Sequence, residues 1–123
     1  MRQVTIINQA RSRYKPIQAQ FCSTFLCRLR GLMFTSQLPH NLGLLLVEKR
    51  ESRLDSAIHM FFVNYNLAVV WIDHNHQVVD TCIARRWRPF YMPSTPARYI
   101  LEMHEDHLAD FNVGDMVVFL ENE

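Results

Sequence analysis

The sequence predicts a mainly β chain with minor α, folded as a single domain over residues 1–123. The expected architecture is a small closed or nearly closed β-barrel carrying one or two short helices. Three observations lead there. About seven short runs rich in β-branched and aromatic residues recur along the chain, bounded by polar and Pro-containing segments. The turn Asp73-His74-Asn75-His76 sits between two such runs and reads as a hairpin. A tight Gly114-Asp115 turn feeds a last apolar run near the C-terminal end.

The elements follow in order. Val4-Thr5-Ile6-Ile7 is a first strand, and polar, basic residues 9–16 form a loop ending at Pro16. Ile17 to Cys22 is a second strand. Ser23 is placed to cap a helix whose apolar face carries Phe25, Leu29, Leu32 and Met33 at i, i+4, i+7 and i+8, with Arg28 and Arg30 off that stripe. Gly31 inside such a helix costs about 1 kcal/mol relative to Ala, which implies a close neighbour. Pro39-His40-Asn41 breaks the chain before a buried strand at Leu42 to Val47, and the charged residues 48–56 read as an exposed loop. Ala57 to Phe62 and Leu67 to Ile72 read as extended segments on either side of Asn64-Tyr65-Asn66. Gln77 to Ala84 returns from the hairpin turn. Arg85 to Pro96 holds three of the five prolines and is a long loop. Arg98 to Met103 is a strand, and His104 to Phe111 is a short helix with acids in its first turn, as the helix dipole favours. Met116 to Leu120 closes the chain.

Composition bounds the function. The chain has 123 residues, one domain's worth, and its 49% apolar content is enough for a core without staples. A net charge of +1 speaks against a nucleic-acid or membrane binder driven by bulk charge. The charge is nonetheless uneven: through Asp55 there are nine Lys or Arg against three acids, and from Tyr99 onward seven acids with no Lys or Arg. Cancellation between solvated faces is the simple expectation. The three cysteines, Cys22, Cys27 and Cys82, are odd in number, lack a CxxC pair and sit among apolar residues, which argues against a disulfide framework and for a reduced, cytoplasmic setting. No secretory leader and no membrane span is expected.

Five features in order resemble one known family. They are Arg30-Gly31-Leu32-Met33, the Gly43-Leu44-Leu45-Leu46-Val47 strand, Ile58-His59-Met60-Phe61-Phe62-Val63 with the apolar strand ending at Asp73, Pro96-Ala97-Arg98-Tyr99-Ile100-Leu101-Glu102, and Asn112-Val113-Gly114-Asp115-Met116-Val117. Their order, from about Gln20 to Leu120, resembles the uncharacterised family 192 among domains of unknown function, an ancient conserved region family. The resemblance implies a small β barrel with one or two helices and a Gly-Asp turn like that of cradle-loop barrels. In that turn Gly takes a positive φ and Asp ties the loop with side-chain bonds. It implies members both secreted and cytosolic, and no particular chemistry. Two positions depart from the family pattern: Asn66 and Ala68 stand where Pro and Asp are common, and His76 stands where a Gly is common.

The site candidates are Arg30, Gly31, Met33, His59, Phe61, Arg86, Trp87 and Arg88. His59 lies in an apolar segment, where its ring needs hydrogen-bond partners whether it is structural or contacts a ligand. Gly31 beside Arg30 admits the close approach of either a strand or a ligand. Arg85-Arg86-Trp87-Arg88-Pro89-Phe90-Tyr91 interleaves cations with rings, a pattern that suits single-stranded nucleic acid, an anionic ligand or a protein partner. His74-x-His76 with His104 and His107 is too loosely spaced to predict a metal site, and neither a metal nor another cofactor is expected. No phosphate loop, dinucleotide fingerprint or serine elbow is present, and catalysis has the thinnest support. The reading is a binding domain that takes a small polar or anionic ligand in a cleft near His59 and Arg30, formed by the helix end at Arg30 to Met33, the His59 segment and the Arg85 to Tyr91 loop. The alternatives are a nucleic-acid or protein-binding module using the Arg85–Tyr91 loop, and a hydrolase-like enzyme using His59. The sequence leaves the oligomeric state open.

Overall fold

A computed structural model describes residues 2–11 and 15–121. Seven strands form one sheet: β1 (Gln3–Asn8), β2 (Ile17–Cys22), β3 (Leu42–Ser52), β4 (Leu67–Ile72), β5 (Val78–Ala84), β6 (Ala97–His104) and β7 (Val117–Glu121). One α-helix, α1 (Phe25–Arg30), lies between β2 and β3, and 3-10 turns occupy Gln9–Arg11 and Glu105–Asp110. The order across the sheet is β5-β4-β6-β3-β2-β1-β7. Every pairing is antiparallel except β2 with β3, which is parallel and therefore needs the α1 crossover.

The sheet does not close into the expected barrel. Its edge strands β5 and β7 meet only through the isolated Gln77–Met116 bridge and neighbouring backbone bonds such as Val78 N to Asp115 O at 2.8 Å. The turn before β7 is held from both sides, by backbone bonds to His76 and Val78 and by side-chain bonds from Asn8. Gly114 takes φ +97°, and Asp115 accepts from the Asn112 amide and from Asn8 Nδ2, each at 2.8 Å. The Gly-Asp turn thus works as expected, tying the start of β5 to β1 without a continuous ladder between β5 and β7.

The central strand explains its own sequence. Leu67 to Ile72 is buried at every position, because Ala68, Val70 and Ile72 enter one core cluster while Leu67, Val69 and Trp71 enter the other. A strand covered on both faces reads as a continuous apolar run. The Trp71 indole, buried in the second cluster, donates from Nε1 to the Ser56 carbonyl at 2.8 Å. The β4–β5 hairpin forms as predicted, and His76 supplies the positive φ (+66°) usually left to Gly.

Several local readings are corrected. The 57–62 segment is not a strand: Ile58 makes a single bridge to Tyr91, and the segment folds over the sheet instead of joining it. The charged residues 48–52 continue β3 beyond Val47, with a register irregularity before Ser52. The helix is short and is capped by Thr24 rather than Ser23, the Thr24 hydroxyl accepting from the Cys27 amide. Gly31 ends that helix with φ +50°, and so it is a C-cap and not an interior glycine. Part of the predicted loop at 9–16 lies outside the described residues. The opposed terminal charges meet on the β1–β7 pair, where Arg2 lies 3.1 Å from Glu121.

Candidate functional site

Cys22 and Cys27 are bonded as a disulfide, correcting the expectation of free thiols. The cause is local: β2 ends at Cys22, the chain reverses through Ser23 and Thr24, and the first turn of α1 brings the two Cα atoms to 5.7 Å. A six-residue helix has little stability alone. Here the disulfide, the Thr24 cap and Arg28 hold it. Arg28 points inward, donating to the Ser23 and Val47 carbonyls and pairing with Glu48 through Nε at 3.0 Å. The predicted apolar stripe is not what docks the helix, since Phe25 and Leu29 remain largely exposed.

Between α1, β3, the 55–63 segment and the sheet lies a cavity of about 500 Å³, within the range of small-ligand sites. Its walls are apolar at Leu32, Leu46, Ile58, Met60, Val63 and Leu67. Arg30, Lys49 and Arg50 place cationic side chains along it, and Arg50 is paired with Asp55 at 2.9 Å. Ile100 and Glu102 contribute from β6.

Glu102 is the unusual group. Alternation along β6 sends Leu101 and Met103 into one core and Ile100, with Glu102 two residues on, toward the other face. Its backbone is paired on both sides, with Leu44 of β3 and Val69 of β4. The residue is 4% exposed, and its carboxyl makes no hydrogen bond or ion pair among the described residues. Burial pushes its pKa up to about 7. Arg28, a cation on the same cavity, is engaged by Glu48. That second carboxyl is also raised, because burial outweighs the lowering effect of Arg28. Gly31 faces Glu102: a Cβ there would come 3.7 Å from Glu102 Oε1. The lack of a side chain at the end of α1 leaves the carboxyl open to the cavity.

Of the predicted residues, Arg30, Gly31 and His59 line this cavity together. His59 is fully engaged. Its Nδ1 accepts from the Phe61 amide at 3.2 Å, which leaves Nε2 to donate to the Leu29 carbonyl, also at 3.2 Å. The ring thereby fastens the 57–63 segment to the end of α1. Met33 and Phe61 lie outside the lining. So does the entire Arg85–Tyr91 loop, which supports the wall from behind: the Met60 amide donates to the Arg88 carbonyl at 2.9 Å and the Trp87 amide to the Met60 carbonyl at 3.0 Å. The Trp87 ring instead joins a surface group, with Phe62 centroids 4.8 Å from Phe34 and 5.1 Å from Trp87. All three of these aromatic residues adopt positive φ, which is uncommon for bulky side chains.

Sequence reasoning missed Arg28, Glu48 and Glu102. For Glu102 a signal existed: an acid at the inward parity of an apolar strand, Tyr99-Ile100-Leu101-Glu102-Met103. Cys82, the thiol left over, is raised to about 11, chiefly by burial, and is a poor nucleophile at neutral pH. His74 and His76 diverge: the first pairs with Glu51, while the second packs its ring against Tyr99 and Phe119.

Fold and site together define a class: an open seven-stranded sheet whose crossover helix roofs a cavity with a carboxyl at its floor. The model of the family DUF192, described as an uncharacterized ACR, matches residues 6–119, and the chain belongs to that family. A UPF0127 protein of Thermococcus gammatolerans is 41% identical over 97 residues, which cover 79% of this chain and 61% of that protein. The chain therefore spans about three fifths of that relative's length. A UPF0127 protein of Pyrococcus furiosus is 32% identical over 97 residues, covering 79% of this chain and 80% of the relative. Among solved structures, a Novosphingobium aromaticivorans protein of unknown function superposes with a TM-score of 0.77 at 16% identity, over 94% of this chain and 83% of that one. That likeness supports the fold alone. No helix among the described residues is long and apolar enough to cross a membrane.

Proposed function

We propose that this chain is a small-ligand-binding domain and that the cavity under α1 is its site. The observation that carries the reading is Glu102, a buried carboxyl with no partner of its own, open to a ligand-sized cavity. The carboxyl meets solvent only through the cavity, and a ligand that offers it a donor takes the place of water there. The ligand that fits is small and polar. It has a hydrogen-bond donor at its inner end, an apolar body against Ile58, Met60 and Leu67, and an anionic or polar group toward Arg30 and Lys49 at the outer end. Gly31 keeps the inner end accessible. His59 acts here by holding the wall, since both of its nitrogens are spent. That arrangement weighs against an acid–base role for His59 and so against a hydrolase-like enzyme.

Native mass spectrometry of gently purified protein, compared with its denatured mass, tests the reading. A retained small molecule that is lost in Glu102→Gln supports it. If nothing is retained, chemical-shift mapping with small zwitterions, amines and carboxylates decides. Shifts at the Gly31, Met60 and Glu102 amides support the site, and a spectrum unmoved by the whole panel refutes it.

The second reading, a nucleic-acid or protein-binding surface on Arg85–Tyr91, draws support from the Phe34, Phe62 and Trp87 rings beside Arg86 and Arg88. Oligonucleotide binding that weakens steeply with salt and with Arg86→Ala would favour it.

A further inference from the structure

We propose a divalent transition-metal site, of the kind zinc occupies, formed by His40, His104 and Asp106 on the side of the sheet where β6 ends. The site follows from strand register. β3 and β6 pair antiparallel with Leu44 opposite Glu102. Carried outward by two residues, that pairing sets His104 opposite Leu42, and the turns beyond the two strand ends bring His40 beside Asp106. His104 closes β6 and Asp106 lies at the start of the following 3-10 turn, so the three residues are delivered by the ends of two hydrogen-bonded strands.

The distances fit an ion. His40 Nε2 lies 3.3 Å from Asp106 Oδ2, and His104 Nδ1 lies 3.6 Å from the same oxygen. One ligand atom from each of the three residues falls within 4.8 Å of the others. Tetrahedral zinc with bonds of about 2.0–2.1 Å separates its ligand atoms by about 3.3 Å, so two of the three edges are nearly formed and the third closes with a small side-chain rotation. Two imidazoles, a carboxylate and a water make a familiar donor set for zinc or another first-row divalent ion.

His104 Nδ1 accepts from the Asp106 amide at 3.2 Å, so a metal at that nitrogen replaces the cap bond with a coordinate bond. A neighbouring imidazole steadies the loop: His107 bonds Asp110 through Nδ1 and the His40 carbonyl through Nε2, with its ring centroid 4.6 Å from that of His40. Glu105, the acid between His104 and Asp106, turns toward Asn66. This site is separate from the cavity under α1, and neither proposal depends on the other.

The test is zinc titration of the untagged chain by calorimetry, with Co²⁺ absorption reporting coordination geometry. The expected result is saturable uptake of one equivalent, a zinc-dependent rise in melting temperature, and a loss of affinity of roughly tenfold or more in both His40→Ala and Asp106→Asn, with His74→Ala unchanged. The His40 and Asp106 side chains are about two-thirds exposed, so both variants should keep the apo melting temperature. Absence of saturable uptake by the wild-type chain overturns the proposal. So does uptake that His40→Ala and Asp106→Asn leave unchanged.

Discussion

The cavity under α1 and the Arg85–Tyr91 loop handle their charges in opposite ways. In the cavity, Arg28 and Glu48 pair out of solvent and Glu102 is buried without a partner. On the loop, Arg85, Arg86 and Arg88 are all exposed, and the rings of Trp87 and Phe90 stand half open to water. The loop has the more conspicuous sequence, yet the desolvated charges, where a protein environment changes chemistry most, are in the cavity. A basic aromatic string is conspicuous because nothing covers it, whereas a functional carboxyl is conspicuous only once its surroundings are known.

The sharpest way to break this contrast is Arg28→Ala. It strips Glu48 of its partner and loosens α1 from β3, and it should cost about 3 kcal/mol or more in urea unfolding. An equivalent loop change, Arg88→Ala, should cost almost nothing. If the two variants unfold alike, the Arg28–Glu48 pair does not hold the helix.

Glu102→Gln probes the floor, with an effect of at most about 3 kcal/mol for a rise from 4.5 to about 7. The folded state holds the Glu102 proton more tightly than the unfolded chain does. Its stabilising contribution is therefore complete below about pH 4.5 and is lost as pH rises through about 7. Glu102→Gln should match the wild type in acid and exceed it in stability above neutrality. Unfolding curves at pH 4 and pH 8 check this, and parallel pH dependence in both proteins would show that Glu102 is not buried as described.

Reduction of Cys22–Cys27 should cost about 2 kcal/mol, as befits a short closed loop. Thiol labelling after denaturation should count one reactive cysteine before reduction and three after it. Three before reduction would return the chain to the reduced state that its composition suggests. A smaller effect than reduction is expected from Trp87→Ala, about 1 kcal/mol from lost ring contacts partly offset by relief at φ +66°, with any ligand of the cavity still binding. If Trp87→Ala abolishes cavity binding, the loop does more than support the wall.

What could be read along the chain was what local chemistry decides. The Leu67–Ile72 run had to be buried on two faces. The turn at residues 73–76 had to join two strands, and Gly114-Asp115 had to be a turn tied by its own carboxylate. His59 had to find hydrogen-bond partners, while its meeting with Arg30 and Gly31 was left to the fold. The tertiary structure decided what depends on partners distant in sequence. The meeting of β5 and β7 in one bridge rather than a ladder left the sheet open. A helix lying over one face turned Gly31 into a cap above Glu102. A chain reversal after β2 made two cysteines neighbours, and the turns beyond the paired ends of β3 and β6 brought His40 to Asp106. Periodicity and residue type state which face a side chain prefers, but which groups share that face is set by register and packing, and there the chemistry of this protein is assembled.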